Sequence, residues 1–171
     1  MVNQRGLSFV GLGSNQSWLG QSPATLVLNA YKALSILGKN AKISALYRSP
    51  AWPNPMQPPY VNAVAQLETP LTAEELLASL LAIESGFGRI RSDDPALRYA
   101  PRSLDLDLLD HQGDVQDSAT LTLPHPGLVS RDFVLLPLQR LAPDWQCPKS
   151  GEGIGDLCQR IKGQATRLPY V

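Results

Sequence analysis

Between residues 49 and 60 the chain reads SPAWPNPMQPPY, five prolines in twelve positions. Proline fixes φ and lacks a backbone N–H, so this stretch can be neither a helix nor a central strand. It lies between two strand-like runs, AKISALYR at 41–48 and YVNAVAQLE at 60–68, and it carries Trp52. An ordered surface loop joining two strands is therefore expected, rather than a linker. Before it stand an apolar run at 7–12 (LSFVGL), a turn at Gly13-Ser14-Asn15, and a helix over 23–38 with Leu26, Ala30, Ala33, Leu34 and Leu37 at helical spacing. After it come the 60–68 strand, a helix that follows Thr72, and the strand LDLDLLDH at 104–111. Thr72 and Glu75 have capping-box spacing, and Leu76, Leu77, Leu80, Leu81 and Ile83 supply the apolar face.

The order is β-α-β-β-α-β. It predicts an α+β fold of the ferredoxin-like, split-βαβ kind: an antiparallel sheet with helices on one face, followed by C-terminal additions. Among those additions RDFVLLPLQRLA reads as a strand or short helix, and GIGDLCQRI as a modest helix. With 171 residues the chain is expected to form one domain over 1–171. Lys+Arg and Asp+Glu both number 15, and this zero net charge removes the simplest case for a nucleic-acid or membrane-surface partner. Cys147 and Cys158 have no metal-ligand spacing and read as free thiols. No stretch approaches the ~18 apolar residues of a membrane span. A cytoplasmic monomer acting on small molecules is expected.

Residues i and i+2 of a strand share a face, so Asp105 and Asp107 project side by side while Leu104, Leu106 and Leu108 face the core. Two readings are open. The acids line the wet face of an ordinary strand, or they hold a cation that relieves their mutual repulsion. Magnesium suits the second, since it takes a few carboxylates plus waters and phosphates. Asp110 breaks the alternation and is expected to be a solvated strand-end residue. Arg89, Arg91, Arg98 and Arg102 crowd the window just upstream. They form either a solvated basic loop or a lid over a phosphate chain. His125 lies in LPHP, held between prolines, with Arg131 six residues on. The histidine is either structural or a donor to phosphate, and Arg131 offers a bidentate contact. Tyr60 and Asn62 again share a strand face, an aromatic platform beside a carboxamide. With Phe133 across from them they suit a flat heterocycle, or the aromatics are plain core. GLGSN at 11–15 fails the phosphate-loop pattern because Gln16 stands where its final glycine belongs, so the glycines are expected to make a tight turn.

In combination LGSN (12–15), YRSP (47–50), Y-V-N (60–62), GRIR (88–91), PRSLDLDLL (101–109), LPHP (123–126) and RDFVLLPL (131–138) resemble the 6-hydroxymethyl-7,8-dihydropterin pyrophosphokinase family of the folate pathway. The resemblance runs from about residue 7 to 145. It implies a ferredoxin-like fold and pyrophosphate transfer from ATP to the pterin hydroxymethyl group, with release of AMP. It implies two Mg2+ ions on Asp105 and Asp107, and a pterin stacked between Tyr60 and Phe133 and paired with Asn62. Ser49, Pro50 and Trp52 would line the same pocket. Arg89, Arg91, Arg102, His125 and Arg131 match nucleotide and phosphate contacts, with Glu84 and Thr122 on the nucleotide side. Tyr99, Leu81 and Pro126 depart from residues that some members carry there, and the segment from Arg91 to Pro101 is slightly longer than in some. Two other classes compete. Nucleotidyl transfer pairs a Gly-Ser turn with D-x-D at short range, whereas Ser14 and Asp105 lie far apart here. A metabolite-binding domain would have no need of both acids.

Overall fold

The computed structural model describes residues 6–91, 94, 99–161 and 163–169. Its elements run β1 (Leu7–Ser14), α1 (Pro23–Ser35), β2 (Lys39–Ile43), β3 (Tyr47–Ser49), β4 (Tyr60–Glu68), α2 (Ala73–Gly86) and β5 (Asp105–His111). They continue with β6 (Gln116–Asp117), β7 (Thr122–Leu123), α3 (Asp132–Leu141), α4 (Ile154–Arg160) and β8 (Thr166–Arg167). The main sheet is ordered β5-β1-β4-β3-β8, with β2 also on β4, and every pair in it is antiparallel. The β6-β7 ribbon stands apart as a two-stranded sheet.

Local chemistry sets several of these bounds. Ser22 caps α1, its hydroxyl accepting the Thr25 N–H at 3.3 Å, with Pro23 pre-shaped for the first turn. Thr72 and Glu75 close the expected capping box on α2, with bonds of 3.2 and 2.8 Å. The single strand expected over 41–48 is instead two. The chain leaves the sheet after Ile43, and there Ser44 bonds Val64 through both its backbone N–H and its hydroxyl. The ambiguous run at 131–142 is helix α3. It tolerates Pro137 because its apolar face is buried at Val134, Leu135 and Leu138.

The sheet has two cores. On one face Val10, Leu12, Ala63, Ala65, Leu106 and Leu108 meet Val27, Ala30, Leu34, Leu76 and Leu80 from α1 and α2. On the other, Phe9, Val64 and Leu109 meet Val134, Leu135, Leu138, Trp145 and Leu157 from the C-terminal third. The finished sheet thus carries helices on both faces. The β-α-β-β-α-β part buries only one face, and the remaining apolar residues demand a second layer. That layer stops short of the far end of the sheet, which leaves a cleft. Among the described residues no helix is long and apolar enough to cross a membrane.

Candidate active site

The cleft has a volume of about 800 Å³. Its floor is the uncovered part of the sheet: Gly11 and Gly13 of β1, Tyr60 and Asn62 of β4, and Asp105 and Asp107 of β5. The two glycines sit inside β1, not in the turn expected for them, and their lack of side chains keeps the floor open. A Cβ on Gly13 would approach Asn62 Oδ1 to 3.3 Å, and one on Gly11 would meet the Leu109 side chain at 3.5 Å. One wall is the proline loop with Ser49, Pro50 and Trp52; the other is the start of α3 with Arg131 and Phe133.

Asp105 faces two arginines, and Asp107 an arginine and a histidine. Asp105 pairs with Arg89 Nη2 at 3.3 Å and Arg102 Nη1 at 2.8 Å. Asp107 pairs with Arg131 Nη1 at 3.3 Å, and His125 Nε2 stands 3.8 Å from its Oδ1. His125 Nδ1 accepts the Gly127 N–H at 3.0 Å, so the neutral ring carries its proton on Nε2, the nitrogen that faces Asp107. Asp107 opens 36% of its side chain to the cleft but is crowded on its other sides. That burial raises its pKa, neighbouring Asp105 raises it further, and His125 and Arg131 act against the rise. Burial likewise lowers the pKa of His125, with Asp107 opposing. A cation at the acids would relieve both the burial and the repulsion. Among the described residues no group of three or more His, Cys, Asp or Glu could hold a metal. A donor set of two carboxylates suits magnesium, which completes its shell with water and phosphate oxygens.

The ring end is built from β3, β4 and α3. Asn62 Nδ2 donates to Ser49 Oγ at 3.0 Å, both residues being buried, which fixes the carboxamide beside Tyr60. Trp52 is 77% exposed, and its ring meets Tyr99 edge-on at 5.6 Å. Arg131 lies over the Phe133 ring at 5.8 Å. Other residues named from the sequence lie elsewhere. Glu84 is 1% exposed and sits behind the floor. Its Oε1 accepts the N–H of Leu106, the amide between the two aspartates, at 2.7 Å, and its Oε2 pairs with Arg91. Thr122 sits on the β6-β7 ribbon and donates to Asp117 Oδ1 at 2.8 Å, away from the cleft lining. Arg98 falls outside the described residues.

Asp110 is not solvated. It is 1% exposed, and its carboxylate accepts the Trp145 Nε1–H at 2.8 Å and the Gly113 N–H at 3.0 Å. A bulge causes this: Val10 faces Leu108 while Phe9 faces Asp110, so Leu109 is the extra residue and the alternation resets. Asn15 is a participant that residue type and spacing did not single out. Its Oδ1 accepts the Arg102 N–H at 2.7 Å and its Nδ2 donates to Pro58 O at 3.0 Å, tying the arginine to the proline loop. Its signal was its place as the last residue of the LGSN motif, just after the first strand.

This arrangement defines a class: an α+β domain whose open sheet end sets an acid–arginine group beside an aromatic and carboxamide group in one small-molecule-sized cleft. The model of the 7,8-dihydro-6-hydroxymethylpterin-pyrophosphokinase (HPPK) family matches residues 9–143, and the chain belongs to that family. It is 44% identical over 120 residues to a 2-amino-4-hydroxy-6-hydroxymethyldihydropteridine pyrophosphokinase of Synechocystis sp., covering 70% of this chain and 59% of that protein. It is 36% identical over 145 residues to the protein of the same name from Haemophilus influenzae, covering 84% and 86%. A crystal structure of HPPK-DHPS in complex with substrates superposes with a TM-score of 0.65 at 12% identity, over 91% of this chain and 43% of that one, a likeness of fold.

Proposed function

We propose that the chain transfers pyrophosphate from ATP to 6-hydroxymethyl-7,8-dihydropterin in folate biosynthesis and releases AMP. The observation that carries this reading is one cleft holding both halves of the chemistry: Asp105 and Asp107 with their arginines, and the Tyr60–Asn62–Phe133 slot. The pterin ring lies against Tyr60 and Phe133, and the Asn62 carboxamide, already oriented by Ser49, pairs with the ring's polar edge. The hydroxymethyl oxygen attacks the β-phosphorus of ATP and passes its proton to an aspartate carboxylate of the pair or to water as the new P–O bond forms. The bond from that phosphorus to the α,β-bridging oxygen breaks, and the oxygen leaves with AMP. Phosphate oxygens entering beside the acids meet Arg89, Arg102 and Arg131 already in place, which neutralises charge without reorganisation. Asp105 and Asp107 would hold two Mg2+ ions. Bound there, magnesium supplies charge neutralisation of the phosphates and acidifies an attached hydroxyl. His125 Nε2–H and Arg91 serve the same phosphates in this reading. The domain spans 1–171, acts as a cytoplasmic monomer and uses no nucleic acid. The sheet order β5-β1-β4-β3/β2 supports a ferredoxin-like core.

Purified protein given ATP, magnesium and the dihydropterin is expected to form AMP, measured chromatographically, only when the pterin is present. Asp105→Ala and Asp107→Ala are each expected to lower kcat by a factor on the order of a hundred or more. Binding of both ligands without AMP would leave a metabolite-binding domain in place of an enzyme.

A further inference from the structure

Residues 144–171 lie beyond the span matched by the family, yet residues 163 and 164 return to the cleft. After α4 the chain runs back across the N-terminal end of α3. The Ala165 N–H donates to Asp132 Oδ2 at 2.6 Å, while Asp132 Oδ1 accepts the Phe133 N–H at 2.8 Å. The passage is close: a Cβ on Gly163 would stand 2.2 Å from Asp132 Oδ2 and displace the carboxylate. Just beyond, Thr166 and Arg167 pair with Arg48 and Tyr47 of β3, and the Leu168 N–H donates to Leu46 O at 2.9 Å. One short segment thereby ties the start of α3, which carries Phe133, to β3, which carries Ser49. Gly163 and Gln164 themselves line the cleft. Gln164 brings a second carboxamide to it, with one acceptor and two donors, like Asn62.

Resting on the pterin reading above, we propose that the 163–168 segment is a wall of the ring-binding end. In it Asp132 is a positioning residue that holds the Phe133 backbone against the segment, and Gln164 is a further contact for the polar edge of the ring substrate. The clasp holds Phe133 on one side of the slot and Ser49 on the other, so its loss is felt more by the ring substrate than by the nucleotide, which keeps Arg89 and Arg102 even where Arg131 shifts.

The test is calorimetric titration of the full chain with 6-hydroxymethyl-7,8-dihydropterin, in the presence of magnesium and a non-hydrolysable ATP analogue. A separate titration follows the analogue alone. Asp132→Ala is expected to weaken pterin binding about fivefold and Gln164→Ala about threefold, as loss of one or two hydrogen bonds predicts, with the analogue's Kd unchanged in Gln164→Ala and changed less than about twofold in Asp132→Ala, where Arg131 adjoins the substitution. Asp132→Asn keeps one side-chain acceptor and is expected to fall between wild type and Asp132→Ala. Unchanged pterin binding in both alanine variants overturns the proposal. So does an equal loss for both ligands, which would mark a merely structural clasp. An unmodified chain that binds the nucleotide but no pterin overturns the functional reading itself, and this inference with it.

Discussion

Glu84 uses both carboxylate oxygens behind the cleft floor, one on the Leu106 amide and one on Arg91. Burial raises its pKa, and those two partners work against the rise. The residue therefore holds the strand backbone between Asp105 and Asp107 and anchors the arginine segment that follows α2. Glu84→Ala would leave the Leu106 N–H buried with no acceptor. It is expected to cost about 1–3 kcal/mol in urea unfolding. Glu84→Gln keeps an acceptor for that amide and should cost less; equal losses would show that the Leu106 bond is not what matters. Nearby, Gly88 adopts φ +76° with the Trp18 indole against it, so only glycine turns the chain into Arg89 there. At this scale the sequence was readable where a side chain obeys strand alternation, as Asp105 and Asp107 do. Glu84 and Asn15 were opaque in their contacts, because each acts on a backbone amide distant in sequence.

At the scale of elements, β5 shows how one extra residue redirects a strand. The Leu109 bulge turns Asp110 toward the same side as Asp105 and Asp107, where Trp145 caps it. Burial raises the pKa of Asp110, while the Trp145 and Gly113 hydrogen bonds oppose that rise. An aspartate raised in this way favours the fold in its protonated form. Its contribution is full below the unfolded value near 4 and is lost as pH climbs through the higher folded value. Asp110→Asn removes this titration. Its stability relative to wild type, from urea midpoints between pH 4 and pH 7.5, is expected to improve as pH rises; a difference independent of pH would show that Asp110 is not titrating in that window. The element order and the α2 capping box were legible because they rest on local chemistry. The bulge and the break between β2 and β3 were not, since both are settled by pairing with β1 and β4.

For the molecule as a whole, two cores grip one sheet, and the cleft opens where the second layer ends. Ligands that bind there bind only the folded chain and must stabilise it. Magnesium with a non-hydrolysable ATP analogue at a hundred times its Kd is expected to add about 2.7 kcal/mol, read as a rise in Tm. Asp105→Asn and Asp107→Asn, or EDTA with the wild type, should remove most of that gain; a full rise in EDTA would place nucleotide binding independent of the acids. The α+β order, a proline loop between two strands, the paired acids and the family motifs could be read from the chain alone, because each is written in residues close together along it. Only the tertiary structure decided that helices cover both faces and that Asp110 is buried. It also decided that Glu84 stands behind the floor and that the 163–168 segment closes against Asp132. Those outcomes depend on which distant groups are left to satisfy buried polar atoms and apolar surface, and they are fixed only when the two layers meet across the sheet.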